Sequence, residues 1–257
     1  MSKRIIFYYQ TFTDLKPVLY KDTPLTHIHL SSIHFGNDNK NKPYVHLNDN
    51  LPTDPIFDNV WNQLEIASKL GIKIILMLGG AGSAYNVLFS DFEVYYKLLY
   101  DLIKSKPFIT GIDLDIEEYT PLDDVKKLIN CIVQDFGKEE FIISMAPIQN
   151  SIENDYSGLG GFIYKDLMKS EEGKYIHYLI GQYYIDYSYE AYDKTIENGY
   201  KPNKIIMGQI GWNFNSNEIK KIVEKYSDFA GVALWEYGII SNQKKWLESM
   251  NNILNPK

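Results

Sequence analysis

The sequence predicts an α/β fold, a single-domain (β/α)8 barrel, on three observations. Eight short runs rich in β-branched and aromatic residues alternate from end to end with longer amphipathic stretches. Over 257 residues this gives about 32 residues per unit, the repeat of a barrel of the usual ~250-residue size. The competing architecture, an open doubly wound sheet, commonly carries a phosphate-binding glycine fingerprint after its first strand; here Tyr8-Tyr9-Gln10-Thr11 stands in that place.

In chain order, the first strand is expected at 4–9, where Ile-Ile-Phe-Tyr-Tyr follows Arg4. The connection 11–25 is poorly patterned and predicts no clear helix. Strand two is expected at 27–34, followed by a helix over 57–70 whose stripe of Val60, Trp61, Leu64, Ile66, Ala67 and Leu70 has helical period. Gly71 stands where a left-handed C-cap would close that helix. Strand three is expected at 73–79, and Ser90-Asp91 introduces a helix over 92–104. Strand four at 111–117 leads to a helix over 122–134, and strands five and six fall at 141–146 and 178–184. A helix over 190–198, strand seven at 204–210 and a helix over 218–226 follow. Ser216-Asn217-Glu218 supplies that last helix with an N-cap and acidic charge in its first turn. Strand eight at 231–235 and a helix over 242–254 complete the series. No Pro/Gly/Ser linker or abrupt charge shift divides the chain, so residues 1–257 are expected to form one catalytic barrel.

Composition narrows the function classes. With 45% hydrophobic residues the chain can bury a sizeable core. Its longest apolar stretches, such as 74–80, fall far below the ~18 residues of a membrane helix. A net charge of −7 argues against a nucleic-acid binder, which needs a basic face. The single cysteine, Cys131, excludes an internal disulfide and a multi-cysteine metal site, and reads as a small buried side chain. The N-terminus enters a strand-like run with no apolar leader, and no Asn-x-Ser/Thr sequon occurs. These features fit an intracellular protein or a trimmed secreted one, and a monomer is expected. The aromatic content of 14% (21 Tyr, 12 Phe, 4 Trp) serves a core first, but can also line a sugar-binding groove.

The most informative segment is Thr110-Gly111-Ile112-Asp113-Leu114-Asp115-Ile116-Glu117. Strand periodicity puts Asp113, Asp115 and Glu117 on one face and Ile112, Leu114 and Ile116 on the other. In a barrel the aliphatic set must meet the helices, so the carboxylates point inward. Like charges about 6–7 Å apart cannot all ionise freely, and at least one pKa should rise, which suits a general acid. Glu117 falls at the C-terminal strand end, the face where barrel enzymes place their chemistry.

This segment resembles the Asp-Gly-x-Asp-x-Asp-x-Glu signature of glycoside hydrolase family 18, the chitinases and endo-β-N-acetylglucosaminidases. Gly111, Asp113, Asp115 and Glu117 match; Thr110 replaces the first Asp, a departure expected to alter the titration of Asp113. Weaker matches are similar to the compact, hevamine-like members: Tyr8 on strand one, Gly79-Gly80 after strand three, Met145-Ala146-Pro147 on strand five, Gln182-Tyr183-Tyr184 on strand six and Trp235 on strand eight. On strand three Met77 replaces the family's Ser. The resemblance implies a retaining, substrate-assisted glycosidase, an exception to the two-carboxylate scheme. Glu117 would be the acid, Asp115 the acetamido-orienting group, Asp113 its partner and Tyr184 a phenol on the acetamido oxygen. Tyr8, Gly79, Gly80, Met145, Gln182 and Trp235 would bind substrate, with no cofactor and no metal.

The implied partner is an N-acetylglucosamine-containing oligo- or polysaccharide, with no nucleic acid and no membrane. The implied substrate is chitin or its oligosaccharides, the alternatives being the chitobiose core of N-glycans or a non-catalytic glycan-binding lectin. Retention of Glu117 speaks against the lectin. The short spacing between strands seven and eight excludes the α+β insertion of processive chitinases and predicts an open cleft with endo-type cleavage. His27 and His29 share a strand face and raise a metal-dependent hydrolase as a rival; with no third histidine at another strand end, both read as structural. Glu118 is expected to face away from Glu117, and Trp61 and Trp246 to pack. Trp212 could do either.

Overall fold

A computed structural model describes residues 3–211 and 215–256. Strands β1 (Arg4–Tyr9), β2 (His27–Asn37), β4 (Lys73–Gly79), β5 (Ile109–Asp115), β6 (Ile142–Met145), β7 (Tyr178–Gln182), β8 (Ile205–Ile210) and β9 (Gly231–Trp235) run parallel. They are ordered β1-β9-β8-β7-β6-β5-β4-β2, and pairing of β2 with β1 closes the ring. The fold is thus a single-domain (β/α)8 barrel without an insertion subdomain: among the described residues of 211–230, between β8 and β9, the only helix is α8 (Ser216–Lys225). Trp212 lies outside the described residues.

Strand alternation sorts the side chains into two layers. Ile5, Phe7 and Tyr9 join the outer core against the helices, while Ile6 and Tyr8 join the inner cluster with Met77, Tyr178, Ile180, Ile206 and Ala233. The helices answer with apolar stripes of matching period. Helix α3 (Phe92–Ser105) buries Phe92, Tyr95, Leu99, Leu102 and Ile103, and α4 (Leu122–Phe136) buries Val125, Leu128, Ile129, Ile132 and Val133. Each such aliphatic or aromatic side chain contributes about 1.5–3 kcal/mol on full burial. Helix α1 (Asp58–Lys69) ends as expected, with Gly71 at φ +87°. The remaining helices of the ring are α7 (Tyr189–Glu197) and α9 (Gln243–Leu254). The Asn242 side chain caps α9 by accepting from the Lys245 N–H. No helix is long and apolar enough to cross a membrane among the described residues.

Three parts of the structure were not anticipated. Strand β2 continues past its expected end and pairs antiparallel with an additional strand, β3 (Pro43–Leu47), in a hairpin standing above the barrel rim. A short helix, α2 (Ala84–Ser90), follows β4, and the β6–β7 connection holds α5 (Gln149–Glu153) and α6 (Tyr164–Lys169). These segments are too short to show a hydrophobic period, so their conformation is set by what they cover. Strand β5 ends at Asp115 and β7 at Gln182, two residues earlier than expected; Glu117 and Tyr184 follow their strands rather than close them.

Candidate active site

The acidic segment reads in the structure as its period requires. Ile112, Leu114 and Ile116 belong to the outer core, and Asp113 and Asp115 are buried, 0% and 5% exposed. Charge at that depth is tolerated only with partners. Asp113 has them: the Tyr8 hydroxyl donates to Oδ2 at 2.8 Å and the Ser144 hydroxyl to Oδ1 at 2.6 Å. His29 Nδ1 lies 3.3 Å from Oδ2, in contact but off line for a hydrogen bond. Asp115, one pleat higher, accepts from Gln182 Nε2 at 3.2 Å, and the same amide nitrogen donates to the Ala146 carbonyl. Burial, with the charges of Glu117 and then Asp113, pushes the Asp115 pKa well above the usual carboxylate range. The raised pKa expected of the acidic face therefore belongs to Asp115.

Glu117 is half-buried just beyond the strand end. Tyr184 reaches the same region from β7: burial and the charges of Asp115, Glu117 and Asp113 raise its phenol pKa well above normal, keeping it a donor. Tyr8 is raised likewise by burial, Asp113, Asp115 and Tyr184. Trp235, at the end of β9, is half-buried with its ring 5.3 Å from that of Tyr8. Tyr8, Asp113, Asp115, Glu117, Gln182, Tyr184 and Trp235 thus lie near one another.

Gly79 and Gly80 shape the floor beside Asp115. Both have positive φ, +97° and +84°, and the Gly80 N–H donates to the Asp115 carbonyl at 2.9 Å. A Cβ on Gly79 would sit 2.3 Å from that carbonyl oxygen and 2.6 Å from the Tyr85 ring. Gly79→Ala is therefore expected to destabilise the fold by about 3 kcal/mol through strain and overpacking. Thermal unfolding should show a Tm lowered by roughly 6–12 °C; an unchanged Tm would contradict the close approach.

Met145 is not brought to the site. Register pairs Asp113 with Ser144 and Leu114 with Met145, so Met145 shares the outward parity of Leu114 and is fully buried in the outer core. Ser144 is the inward neighbour that the sequence reading passed over; alternation along strand five was the signal that could have found it. Thr110 sits at a bulge, between the Ile74–Ile109 and Ile75–Gly111 pairs, and its hydroxyl donates to the Ile74 carbonyl at 3.3 Å. Glu118 turns aside, accepting the Tyr85 N–H at the start of α2. Trp61 and Trp246 are buried against the core.

A cavity of about 640 Å3, a size within the ~300–1,000 Å3 of ligand pockets, is lined in part by Ala81, Gly82 and Ser83, just after Gly80, but by none of Asp113, Asp115, Glu117 and Tyr184. Gln10, Ser32, His34, His46, Asn48 and Gly82 line it. The unanticipated hairpin builds its wall: His34 on β2 and His46 on β3 stack with centroids 5.6 Å apart and planes 21° apart. His27 and His29 lie deeper in the barrel, rings 6.5 Å apart. Burial, then His29, Arg4 and Lys73, lower the His27 pKa well below the usual histidine range. Among the described residues no group of three His, Cys, Asp or Glu side chains is disposed to hold a metal ion.

No family model matches the chain, and no curated protein matches it. Solved structures do. A fungal endo-β-N-acetylglucosaminidase from glycosyl hydrolase family 18 superposes with a TM-score of 0.85 at 29% identity, covering 98% of each chain. A chitinase from Aspergillus fumigatus gives 0.83 at 26% identity over 91% of each chain. A family 18 chitinase from Pseudoalteromonas aurantia shares the fold, with a TM-score of 0.76 at 20% identity, covering 98% of this chain and 100% of that one.

Proposed function

We propose that this chain, a glycoside hydrolase of family 18, cleaves β-1,4 bonds next to N-acetylglucosamine in chitin oligosaccharides, with retention of configuration. The observation that carries the reading is the meeting of a buried Asp115 with Asp113, Glu117 and Tyr184 at the C-terminal end of the barrel. Glu117, half-buried and closest to the rim of the three, protonates the glycosidic oxygen. The 2-acetamido carbonyl of the substrate attacks the anomeric carbon as the bond to the leaving sugar breaks, giving an oxazolinium-type intermediate. Asp115 accepts from the acetamido N–H and balances the developing positive charge, while the Tyr184 hydroxyl donates to the acetamido oxygen and aligns it. Glu117, now ionised, takes a proton from the water that opens the intermediate, so acid and base roles fall to one group. Trp235 provides apolar surface beneath the reacting sugar, backed by the buried Tyr8, and Gln182 steadies Asp115. The cavity lined by Ala81, Gly82 and Ser83 is open to solvent, which favours cleavage within a chain over release from its end.

A second substrate has a specific observation behind it: the 29% identical structure covering 98% of this chain is an endo-β-N-acetylglucosaminidase, which makes the chitobiose core of N-glycans the alternative. Chitin oligosaccharides and a high-mannose glycopeptide assayed side by side discriminate the two. In either case the new reducing end should appear first as the β-anomer by NMR, and activity should persist in chelator. Initial α-anomer would overturn substrate assistance; binding of both substrates without turnover would leave a lectin.

A further inference from the structure

We infer that Glu236 is a positioning residue for this reaction. Its buried carboxylate ties Gln10 and Thr11 to the end of β9, fixes the spacing between the Trp235 floor and the cavity edge, and so sets how well a long glycan is used relative to a short one. The inference rests on the proposed reading of Trp235 and adds a residue that the mechanism above leaves unused.

The argument starts from a gap in the repeat. Between β1 and β2, residues 10–26 form neither helix nor strand. A connection of that length without structure of its own is uncommon in a compact domain, and its backbone groups must find partners elsewhere. Glu236 supplies them. It follows Trp235, the last residue of β9, and β9 is the neighbour of β1 in the ring. Glu236 is 2% exposed. Its Oε2 accepts from the Gln10 and Thr11 N–H groups, both at 3.3 Å. The Thr11 hydroxyl donates to the same carboxylate, 3.1 Å from Oε1 and 3.2 Å from Oε2. A carboxylate only accepts, and its two oxygens have lone pairs enough for all three donors.

Gln10 is thereby held from both sides. Its N–H donates to Glu236, and its carbonyl accepts from Asn48 Nδ2 at 3.1 Å. Asn48 is tied in turn to Ser32: its Oδ1 accepts the Ser32 N–H at 3.1 Å, and its N–H donates to the Ser32 carbonyl at 2.9 Å. Gln10, Thr11, Ser32 and Asn48 all line the cavity. One chain of contacts therefore links Trp235, through Glu236 and Gln10, to Asn48 and the hairpin. A glycan that lies on Trp235 and runs on past β1 meets the cavity edge at a spacing that Glu236 sets, and such spacing decides how much of its binding is realised. The base of the loop is secured separately. The Tyr237 hydroxyl donates to the Asp14 carbonyl at 2.8 Å, and the Leu15 N–H to Gln63 Oε1 at 2.7 Å. Loss of the Glu236 carboxylate thus frees residues 10 and 11 without releasing the rest. Gly238 closes the clasp from outside: a Cβ there would collide with the Thr11 hydroxyl oxygen and lie 2.9 Å from Glu236 Oε1.

The test compares Glu236→Ala, Glu236→Gln and Gly238→Ala in the full chain, on chitohexaose and on an aryl glycoside of chitobiose. In Glu236→Ala the ratio of kcat/KM on the hexaose to that on the aryl glycoside should fall roughly tenfold, mainly through KM on the hexaose. A merely structural loss lowers both substrates together and leaves the ratio unmoved. Glu236→Gln, whose Oε1 can accept both amides while Nε2 donates to the Thr11 hydroxyl oxygen, should recover most of the ratio. Gly238→Ala, which forces Thr11 away from the carboxylate, should lower the ratio the same way even if Glu236→Ala folds poorly. Where the chain turns over only the high-mannose glycopeptide, the ratio is taken between it and the same glycopeptide trimmed of its outer mannoses. Amide hydrogen exchange at Gln10 and Thr11, which needs no turnover, should speed about tenfold or more in Glu236→Ala and slow again in Glu236→Gln. An unmoved ratio in both Ala variants, a Gln variant no better than Ala, or unchanged exchange overturns the inference. A wild-type chain inactive on every N-acetylglucosamine substrate sinks the functional reading, whereas an active wild type whose ratio survives both Ala substitutions sinks this one.

Discussion

Glu117→Gln is expected to lower kcat on chito-oligosaccharides by about 10²–10⁴-fold, the usual contribution of a positioned general acid. An amide fills the same space and hydrogen-bonds, but it neither releases a proton to the glycosidic oxygen nor recovers one from water. Binding should survive, since Trp235, Tyr8, Gln182 and the cavity are untouched; calorimetric titration with an oligosaccharide should give a Kd within severalfold of the wild type. Folding should survive too, because Glu117 is half-buried and its charge raises the cost of ionising Asp115. A variant that keeps a tenth or more of the wild-type rate would show that another group is the acid.

Asp115→Asn is the second large effect, and it should move activity and stability in opposite directions. Activity falls by about 10²–10³-fold, because a neutral amide cannot balance the positive charge developing at the sugar. Stability follows from linkage. The Asp115 pKa is raised in the fold by burial, Glu117 and Asp113, so the folded chain binds this proton more tightly than the unfolded chain. The associated stabilisation is complete below the unfolded pKa of about 3.9 and is lost as pH rises through the folded value. Asparagine carries no such proton. The Tm advantage of Asp115→Asn should therefore grow with pH, at roughly 2–4 °C per kcal/mol for a chain of about this size. Parallel Tm-against-pH curves for the two proteins would refute the assignment of the raised pKa to Asp115.

Much of the site could be read locally. Alternation along 112–117 separated the aliphatic from the acidic face without any knowledge of neighbours, and the structure keeps that separation. The same rule, applied to strand five, would have turned Ser144 inward and Met145 outward; a resemblance placed Met145 in the site instead. The hairpin β2–β3 was missed for a different reason. Pro43–Leu47 is short and only half-buried apart from Leu47, so its strand character comes from pairing with residues 33–37 rather than from a marked pattern. With it went the stacked His34 and His46 and the wall of the cavity. His29 was legible only as a histidine on a strand, and neither its spacing nor its neighbours in sequence distinguish a structural imidazole from one aimed at a carboxylate.

The sequence by itself determined the barrel, the order of its strands, the inward direction of Asp113 and Asp115 and the position of Glu117 toward the C-terminal side of its strand. These are consequences of period two in strands, of longer-period helices between them and of unit length, all carried by residues a few positions apart. Only the tertiary structure decided who meets Asp113. Tyr8 lies 105 residues away and Ser144 31, and closure of the ring through β1 and β2 brings His29 to the same carboxylate. Register between strands is set by packing across the whole barrel, and a single strand carries no record of the partner it will face.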